Sequence, residues 1–233
     1  MNITQQDRIL VVAAHPDDEV LGCGGTIALA KSKGAFVSVL FLGEGISARF
    51  PYGDYGGDDY KEQHQIRQNG SKKALKVLGV DDVIFGERLC CQFDTIPQIT
   101  LTKEIESVLD KIKPTILLTH NPSEVNIDHV VTYNAVEVAC RPTRSVVPNE
   151  IYGFEVVCSG SWKFDSSFIP NVFVDIEKFW ERKLDAWNCY EGEIRSFPFP
   201  RSVEGLETLA RYRGMASNLR FAEALRLLRK VVK

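Results

Sequence analysis

The stretch VVAAHPDDEV (residues 11–20) joins an apolar run to a histidine, a proline and three consecutive carboxylates. Residues 8–14 (RILVVAA) have the β-branched, apolar composition of a parallel strand buried on both faces. Pro16 is a favoured residue at a helix start. The carboxylates of residues 17–19 then fall in the first helical turn, where the helix dipole tolerates negative charge. The stretch therefore predicts a strand–turn–helix unit with charged side chains at the carboxyl end of the strand.

The rest of the chain repeats this alternation of strands and helices. Strand-like apolar runs span residues 8–14, 36–42, 82–86, 115–120, 151–157 and 172–176. Helical spacing occupies residues 20–34, 60–80, 99–113, 128–141, 177–192 and 202–230, the last interrupted at Arg213–Gly214. Such alternation predicts an α/β fold, with a mainly parallel sheet and helices on both faces. We expect a single domain over residues 1–233.

The composition of the chain indicates which binding partners and which cellular compartment to expect. The net charge is −3, and the nearest approach to a basic cluster is a set of four cations in the predicted C-terminal helix: Arg226, Arg229, Lys230 and Lys233. We therefore expect no nucleic-acid partner. We also expect no membrane span and no signal peptide. The six cysteines form no C-x-x-C pair, which indicates reduced thiols and a cytoplasmic protein. The sequence leaves a homo-oligomer open.

The carboxylates that follow His15 indicate a metal. Adjacent like charges repel, and a divalent cation would neutralise them. Zinc accepts histidine and aspartate ligands, and its catalytic sites use three protein ligands and leave one position open. His15 and one aspartate supply two ligands. The third is expected from residues 119–130 (THNPSEVNIDHV), which contain His120 and His129.

Two further segments bear on ligand binding. The glycine-dense GCGGT (residues 22–26) follows a strand, but the turn where a pyrophosphate would sit already contains acidic residues that would repel it. We therefore expect the glycines to allow close approach to a helix or a loop. The long segment 43–60 carries aromatic residues that are suited to covering a sugar ring. Arg49 and Arg67 follow the second strand and are candidates for binding an anionic group of a substrate.

With AHPDDEVLGCGGTIA (14–28) and HNPSEVNIDH (120–129), the chain resembles the PIG-L/LmbE-type metal-dependent deacetylases. The similarity extends to Arg67 with Leu78–Gly79, to PRS (200–202) and to the C-terminal RYRG and AEALRLLR. Members of this family hydrolyse N-acetyl groups of sugars and sugar conjugates, using Zn²⁺ on a Rossmann-like fold. The resemblance thus implies a metal-dependent hydrolase that acts on an N-acetylated amino sugar or its nucleotide-, lipid- or small-molecule-linked conjugate.

The resemblance also implies roles for individual residues. His15, Asp18 and His129 would bind Zn²⁺ or another divalent metal such as Fe²⁺. Asp17 would act as the general base for the metal-bound water that attacks the amide. Asp128 would orient a ligand histidine. The resemblance also adds Arg201 to Arg49 and Arg67 as a candidate substrate-binding residue.

Asn126 departs from the family pattern. Many relatives carry a histidine at this position, and the resemblance implies that this histidine polarises the carbonyl or stabilises the oxyanion. Asparagine donates a hydrogen bond but carries no charge, so Asn126 is expected to contribute to catalysis only as a neutral donor. Gly70 is a second departure, because relatives often have an acidic residue there. Asn126 leaves open one alternative, a catalytically weakened carbohydrate-binding relative. A further alternative is an amidase that uses the same water chemistry on a non-sugar, thiol-conjugate amide.

Overall fold

The computed structural model describes residues 1–232 and contains one seven-stranded sheet. The strands are β1 (Arg8–Ala13), β2 (Phe36–Gly43), β3 (Asp82–Arg88), β4 (Ile116–Thr119), β5 (Glu150–Phe154), β6 (Val172–Asp175) and β7 (Ala222–Lys230). The α-helices in this part of the chain are α1 (Asp18–Ser32), α2 (Asp58–Leu78), α3 (Gln98–Ile112), α4 (Ile127–Ala139), α5 (Trp180–Asn188) and α6 (Val203–Met215).

The strand order is β3-β2-β1-β4-β5-β7-β6, and β1 pairs in parallel with both β2 and β4. The chain leaves β1 towards β2 and β3 on one side and later returns to add β4 and β5 on the other. The point where the order reverses therefore lies between β1 and β4, which is where open α/β sheets bind ligands. The predicted α/β class with a mainly parallel, Rossmann-like sheet is confirmed.

Helices cover both faces of the sheet, as predicted. Alternate residues of β1 face opposite ways: Val11 packs with the helices of one face and Val12 with those of the other. The first core contains residues of α1, α2, α5 and α6, and the second contains residues of α3 and α4. Both faces of β1 are buried, which accounts for its continuous apolar run.

Helix α1 is interrupted at Cys23, whose φ of −150° is not helical. The buried carboxylate of Glu223, on β7, accepts hydrogen bonds from the backbone N–H groups of Gly25 (2.8 Å) and Thr26 (2.7 Å). Lys183 of α5 donates to the same carboxylate at 2.6 Å. A Cβ atom on Gly25 would lie 2.6 Å from Ile176 Cγ2. The glycine-rich stretch therefore serves close packing, as the sequence indicated.

The prediction of helix through residues 202–230 is wrong in its second half. Helix α6 ends at Met215, and the chain returns as β7, antiparallel to both β5 and β6. Alanine, leucine and arginine favour a helix, but the slot between two strands offers backbone hydrogen bonds on both sides, and this pairing overrides local propensity. Arg226, Arg229 and Lys230 therefore lie on a strand and not in a last helical turn; Lys233 lies outside the described residues.

Two further features complete the architecture. The long aromatic segment over residues 43–60 contains a short 3₁₀ helix, Ser47–Arg49, and passes into α2 at Asp58. Over residues 1–232, none of the helices has the length and hydropathy that crossing a bilayer requires.

Candidate metal centre

Two loops, which follow β1 and β4 at the carboxyl edge of the sheet, bring the predicted ligands together. His15 lies just after β1, His120 directly after β4, and His129 in the first turn of α4. All three are nearly inaccessible to solvent. The cluster thus occupies the point where the strand order reverses.

His15, Asp18 and His129 each place a ligand atom within 4.8 Å of the others. Asp18 Oδ1 lies 3.4 Å from His129 Nε2, and Asp18 Oδ2 lies 3.6 Å from His15 Nδ1. Within residues 1–232, Asp18 Oδ1 is buried without a hydrogen-bond partner. A buried carboxylate oxygen left unsatisfied is costly, and a cation between the imidazoles would satisfy it. The residues present therefore fit a divalent metal.

The imidazoles of His15 and His129 each contact a further carboxylate through the ring nitrogen that does not face Asp18. His15 Nε2 lies 2.8 Å from Asp128 Oδ2, and His129 Nδ1 lies 2.8 Å from Glu124 Oε2. Such pairs fix the orientation of metal-binding histidines and the nitrogen that faces the metal. They direct His15 Nδ1 and His129 Nε2 towards Asp18.

The sequence analysis identified one of these two partners. Asp128 was expected to orient a histidine, and it contacts His15 rather than its neighbour His129. Glu124 was missed, although it is an acidic residue in the same loop as His129. Burial alone would lower the pKa of His129, but the charges of Asp18 and Glu124 outweigh it and raise that pKa to about 9. The carboxylates beside His129 thus favour a positive charge at this position.

His120, the alternative third ligand, is engaged differently. Its Nε2 accepts a hydrogen bond from the backbone N–H of Ala14 at 2.9 Å, and its ring stacks on His129 with centroids 4.0 Å apart. Burial lowers the pKa of His120 well below its usual value. His120 is therefore a neutral support for the ring of His129.

Asp17 contacts two arginines through one oxygen of its carboxylate. Its Oδ2 accepts hydrogen bonds from Arg67 Nη2 at 3.1 Å and from Arg201 Nη1 at 3.0 Å. Its φ is +123°, a region that non-glycine residues rarely adopt. Such backbone strain concentrates at functional sites, where the surrounding structure enforces it.

The three arginines predicted to contact substrate lie in one cluster. Glu193 pairs with Arg49, with Arg67 Nη1 at 2.5 Å and with Arg201 Nη1 at 3.5 Å. Three cations thus surround the carboxylates of Asp17 and Glu193, so the cluster carries a net positive charge. Glu193 was not predicted, because no local pattern relates it to residues far away in the sequence.

A cavity of about 230 Å³ adjoins this cluster, between α2 and residues 189–193. Its lining includes Arg49, Arg67, Lys73, Tyr190 and Glu193. The cavity therefore offers space next to positively charged groups.

Two residues near the centre have clear structural contacts. Glu19 accepts hydrogen bonds from Tyr190 Oη at 2.6 Å and from the backbone N–H of Asp17 at 2.9 Å, and burial raises its pKa to about 8. Glu19 therefore supports the loop that carries Asp17. Asn126 caps α4, because its Oδ1 accepts from the backbone N–H of Asp128 at 2.9 Å. The hydrogen bond that Asn126 is predicted to donate to the oxyanion would come from its Nδ2 group.

The family model described as PIG-L, GlcNAc-PI de-N-acetylase, matches residues 10–140. This range includes the HPDDE element and the second histidine loop.

The chain belongs to the PIG-L family.

Two PIG-L relatives cover most of the chain. The "Uncharacterized deacetylase YaiS" of Escherichia coli K12 is 30% identical over 187 residues, which is 76% of this chain and 87% of that protein. The diacetylchitobiose deacetylase of Thermococcus kodakarensis is 29% identical over 231 residues, or 95% of this chain and 83% of that protein. The resemblance recognised from the sequence motifs is confirmed.

Solved structures establish the same fold. The N,N'-diacetylchitobiose deacetylase of Pyrococcus horikoshii superposes with a TM-score of 0.74 at 21% identity, covering 96% of this chain and 85% of the other. A 4-carboxy-2-hydroxymuconate hydratase of Pseudomonas putida gives 0.73 at 23% identity, with 97% of each chain covered. The fold thus occurs with more than one chemistry, and the activity must be argued from the site.

Proposed function

We propose that this PIG-L protein is a zinc-dependent deacetylase of an N-acetylated amino sugar or of its conjugate. The observation that carries the proposal is the buried, unpartnered Oδ1 of Asp18, which faces His129 Nε2. The family and the diacetylchitobiose-deacetylating relative support the reaction class.

In this proposal His15, Asp18 and His129 hold the metal. Two imidazole nitrogens and one carboxylate oxygen suit Zn²⁺ and also accept Fe²⁺. When bound, the metal supplies a Lewis acid that polarises the amide carbonyl and lowers the pKa of water. Asp128 and Glu124 keep the two imidazoles in the orientation that this requires.

Asp17 is the proposed general base. Arg67 and Arg201 both donate to its Oδ2, so Oδ1 is the oxygen that takes the proton from the attacking water. Asp17 then returns that proton to the leaving amine, which is how one carboxyl group serves as base and then as acid. Asn126 Nδ2 is proposed as a neutral donor to the tetrahedral oxygen.

The arginine cluster is the proposed contact for the rest of the substrate. Arg49 has a side chain that is 45% exposed, and it borders the adjoining cavity together with the buried Arg67. A net positive charge beside an open cavity favours a conjugate with an anionic group. We propose that Arg49, Arg67 and Arg201 bind such a group.

The proposal is tested by acetate release from zinc-loaded protein. The panel contains N-acetylglucosamine, diacetylchitobiose, and nucleotide- and lipid-linked N-acetylglucosamine, with an acetylated thiol conjugate as the non-sugar amide. We expect release from at least one sugar, and release that is slower by about 10²- to 10⁴-fold from the Asp17→Asn variant. Release from the thiol conjugate alone would support the amidase alternative. Sugar binding without any release would support the weakened carbohydrate-binding relative, which the missing charge at Asn126 favours.

A further inference from the structure

Tyr190 lies two residues after α5 and is buried beside the loop that carries Asp17. Its Oη donates a hydrogen bond to Glu19 Oε1 at 2.6 Å, and Glu19 Oε2 accepts from the backbone N–H of Asp17 at 2.9 Å. The tyrosine hydroxyl is therefore connected to the backbone of Asp17 through the two oxygens of one buried carboxylate.

The ring of Tyr190 also contacts the arginine that binds the Asp17 side chain. Arg67 Cζ lies 5.5 Å from the centre of the ring, which is within the range of a cation–π contact. Arg67 Nη2 in turn donates to Asp17 Oδ2 at 3.1 Å. Tyr190 thus supports Asp17 at both ends, because its hydroxyl acts on the backbone N–H and its ring acts on the partner of the carboxylate.

The backbone of Asp17 needs such support. Its φ of +123° is strained for a residue other than glycine, and a strained conformation persists only where neighbouring groups enforce it. The hydrogen bond that the Asp17 N–H donates to Glu19 fixes the peptide group that precedes the Asp17 Cα, so it opposes relaxation of φ. Since misplacing a reacting group by about 1 Å costs about 100-fold in rate, the supports of Asp17 bear directly on the proposed reaction.

A glycine on α2 allows Tyr190 to reach this position. A Cβ atom on Gly70 would lie 2.7 Å from the carbonyl oxygen of Cys189 and 3.7 Å from Tyr190 Cδ1. A side chain that close to a backbone atom would force the two segments apart. Gly70, which departs from the family pattern, therefore permits the close approach that places the Tyr190 hydroxyl against Glu19.

We propose that Tyr190 is a positioning residue for the general base, and that it holds Asp17 through Glu19 and Arg67. This inference rests on the proposed function, because it takes Asp17 as the base. Tyr190→Phe removes the hydroxyl alone and keeps the ring that lines the adjoining cavity. The substitution should therefore lower kcat, while KM changes by less than about twofold and the zinc content stays the same.

The kinetic test compares Tyr190→Phe with Tyr152→Phe on the sugar that releases most acetate. Tyr152 is the matched control, because it is also a buried tyrosine whose hydroxyl donates to a glutamate, Glu150 of β5. We expect Tyr190→Phe to lower kcat by about 10- to 100-fold and Tyr152→Phe to leave it unchanged. In the Asp17→Asn background, Tyr190→Phe should have little further effect, because the base that it positions is gone. An unchanged kcat, or the same loss in both backgrounds, would overturn the proposal.

Hydrogen exchange at the Asp17 amide, followed by NMR, separates this inference from the proposed function because it needs no turnover. Tyr190→Phe should speed this exchange by at least about tenfold, since it loosens the Glu19 contact that protects the amide. Tyr152→Phe should not change it, and circular dichroism verifies the fold of both variants. Absence of acetate release from the native protein would contradict the proposed function, whereas unchanged exchange at Asp17 in Tyr190→Phe would contradict the positioning role.

Discussion

Asp128 Oδ2 and His15 Nε2 lie 2.8 Å apart, although 113 positions of sequence separate the two residues. This contact ties the start of α4 to the loop after β1, across the point where the strand order reverses. With the matching pair of Glu124 and His129, it determines which imidazole nitrogens face Asp18. The geometry of the centre therefore depends on carboxylates that do not themselves face the metal position.

Asp128→Asn should lower zinc affinity by about 10- to 100-fold, because outer carboxylate partners contribute about this much to histidine metal sites. Competition with a chromogenic chelator measures the affinity. Asp94→Asn is the control, since Asp94 is an exposed carboxylate in a short 3₁₀ helix, Phe93–Thr95, that follows β3. Equal affinity in the Asp128 variant and the native protein would show that this contact does not support the metal.

Asp17→Asn should lower kcat by about 10²- to 10⁴-fold while the protein keeps its zinc, because a general base contributes this much and the metal ligands remain intact. Acetate release and metal analysis are measured on the same sample. Retention of the native rate would exclude Asp17 as the base. Loss of zinc together with activity would place Asp17 among the metal-binding groups.

Arg67→Met should destabilise the fold by about 3 kcal/mol, because it removes a buried partner from the carboxylates of Asp17 and Glu193. The side chain of Arg67 is 6% exposed and that of Arg49 is 45% exposed. Arg49→Met is thus the matched control, with an expected cost of at most about 1 kcal/mol. Urea unfolding measures the free energy of unfolding of both variants. Equal losses would contradict the larger contribution to stability that is assigned to the buried Arg67.

Gly25→Ala should destabilise the fold by about 1–3 kcal/mol, because the new methyl group would overlap Ile176 and force repacking. At Gly24 the nearest atom is Lys183 Cγ at 3.4 Å, an ordinary contact. Gly24→Ala should therefore be neutral or gain up to about 1 kcal/mol of helix propensity. Thermal unfolding compares the two variants, and an equal response would mean that the close approach at Gly25 has no energetic consequence.

The sequence contains the information for the strand–helix core and for the centre at its edge. An uninterrupted apolar run marks a strand buried on both faces, and His15 stands at the end of such a run. The carboxyl ends of parallel strands meet at one edge, so the histidine loop after β4 could be placed beside the loop after β1. These inferences use local pattern and one topological rule.

The parts that were not predicted depend on contacts between distant residues. Residues 222–230 have helical composition, and only the open slot between β5 and β6 makes them a strand. Glu193 becomes part of the site because three arginines from separate segments converge on it. A local sequence pattern does not show which distant residues will pair in the folded chain.

The metal content of purified protein tests most directly whether His15, Asp18 and His129 hold a cation. Native protein, His129→Ala and His64→Ala are loaded with equimolar zinc, passed through gel filtration and analysed by mass spectrometry for zinc per chain. His64 lies on α2 beside Glu87, with its Nε2 3.4 Å from that carboxylate, and serves as the control. We predict one zinc per chain in the native protein and in His64→Ala, and little or none in His129→Ala. Undiminished zinc in His129→Ala would contradict the account.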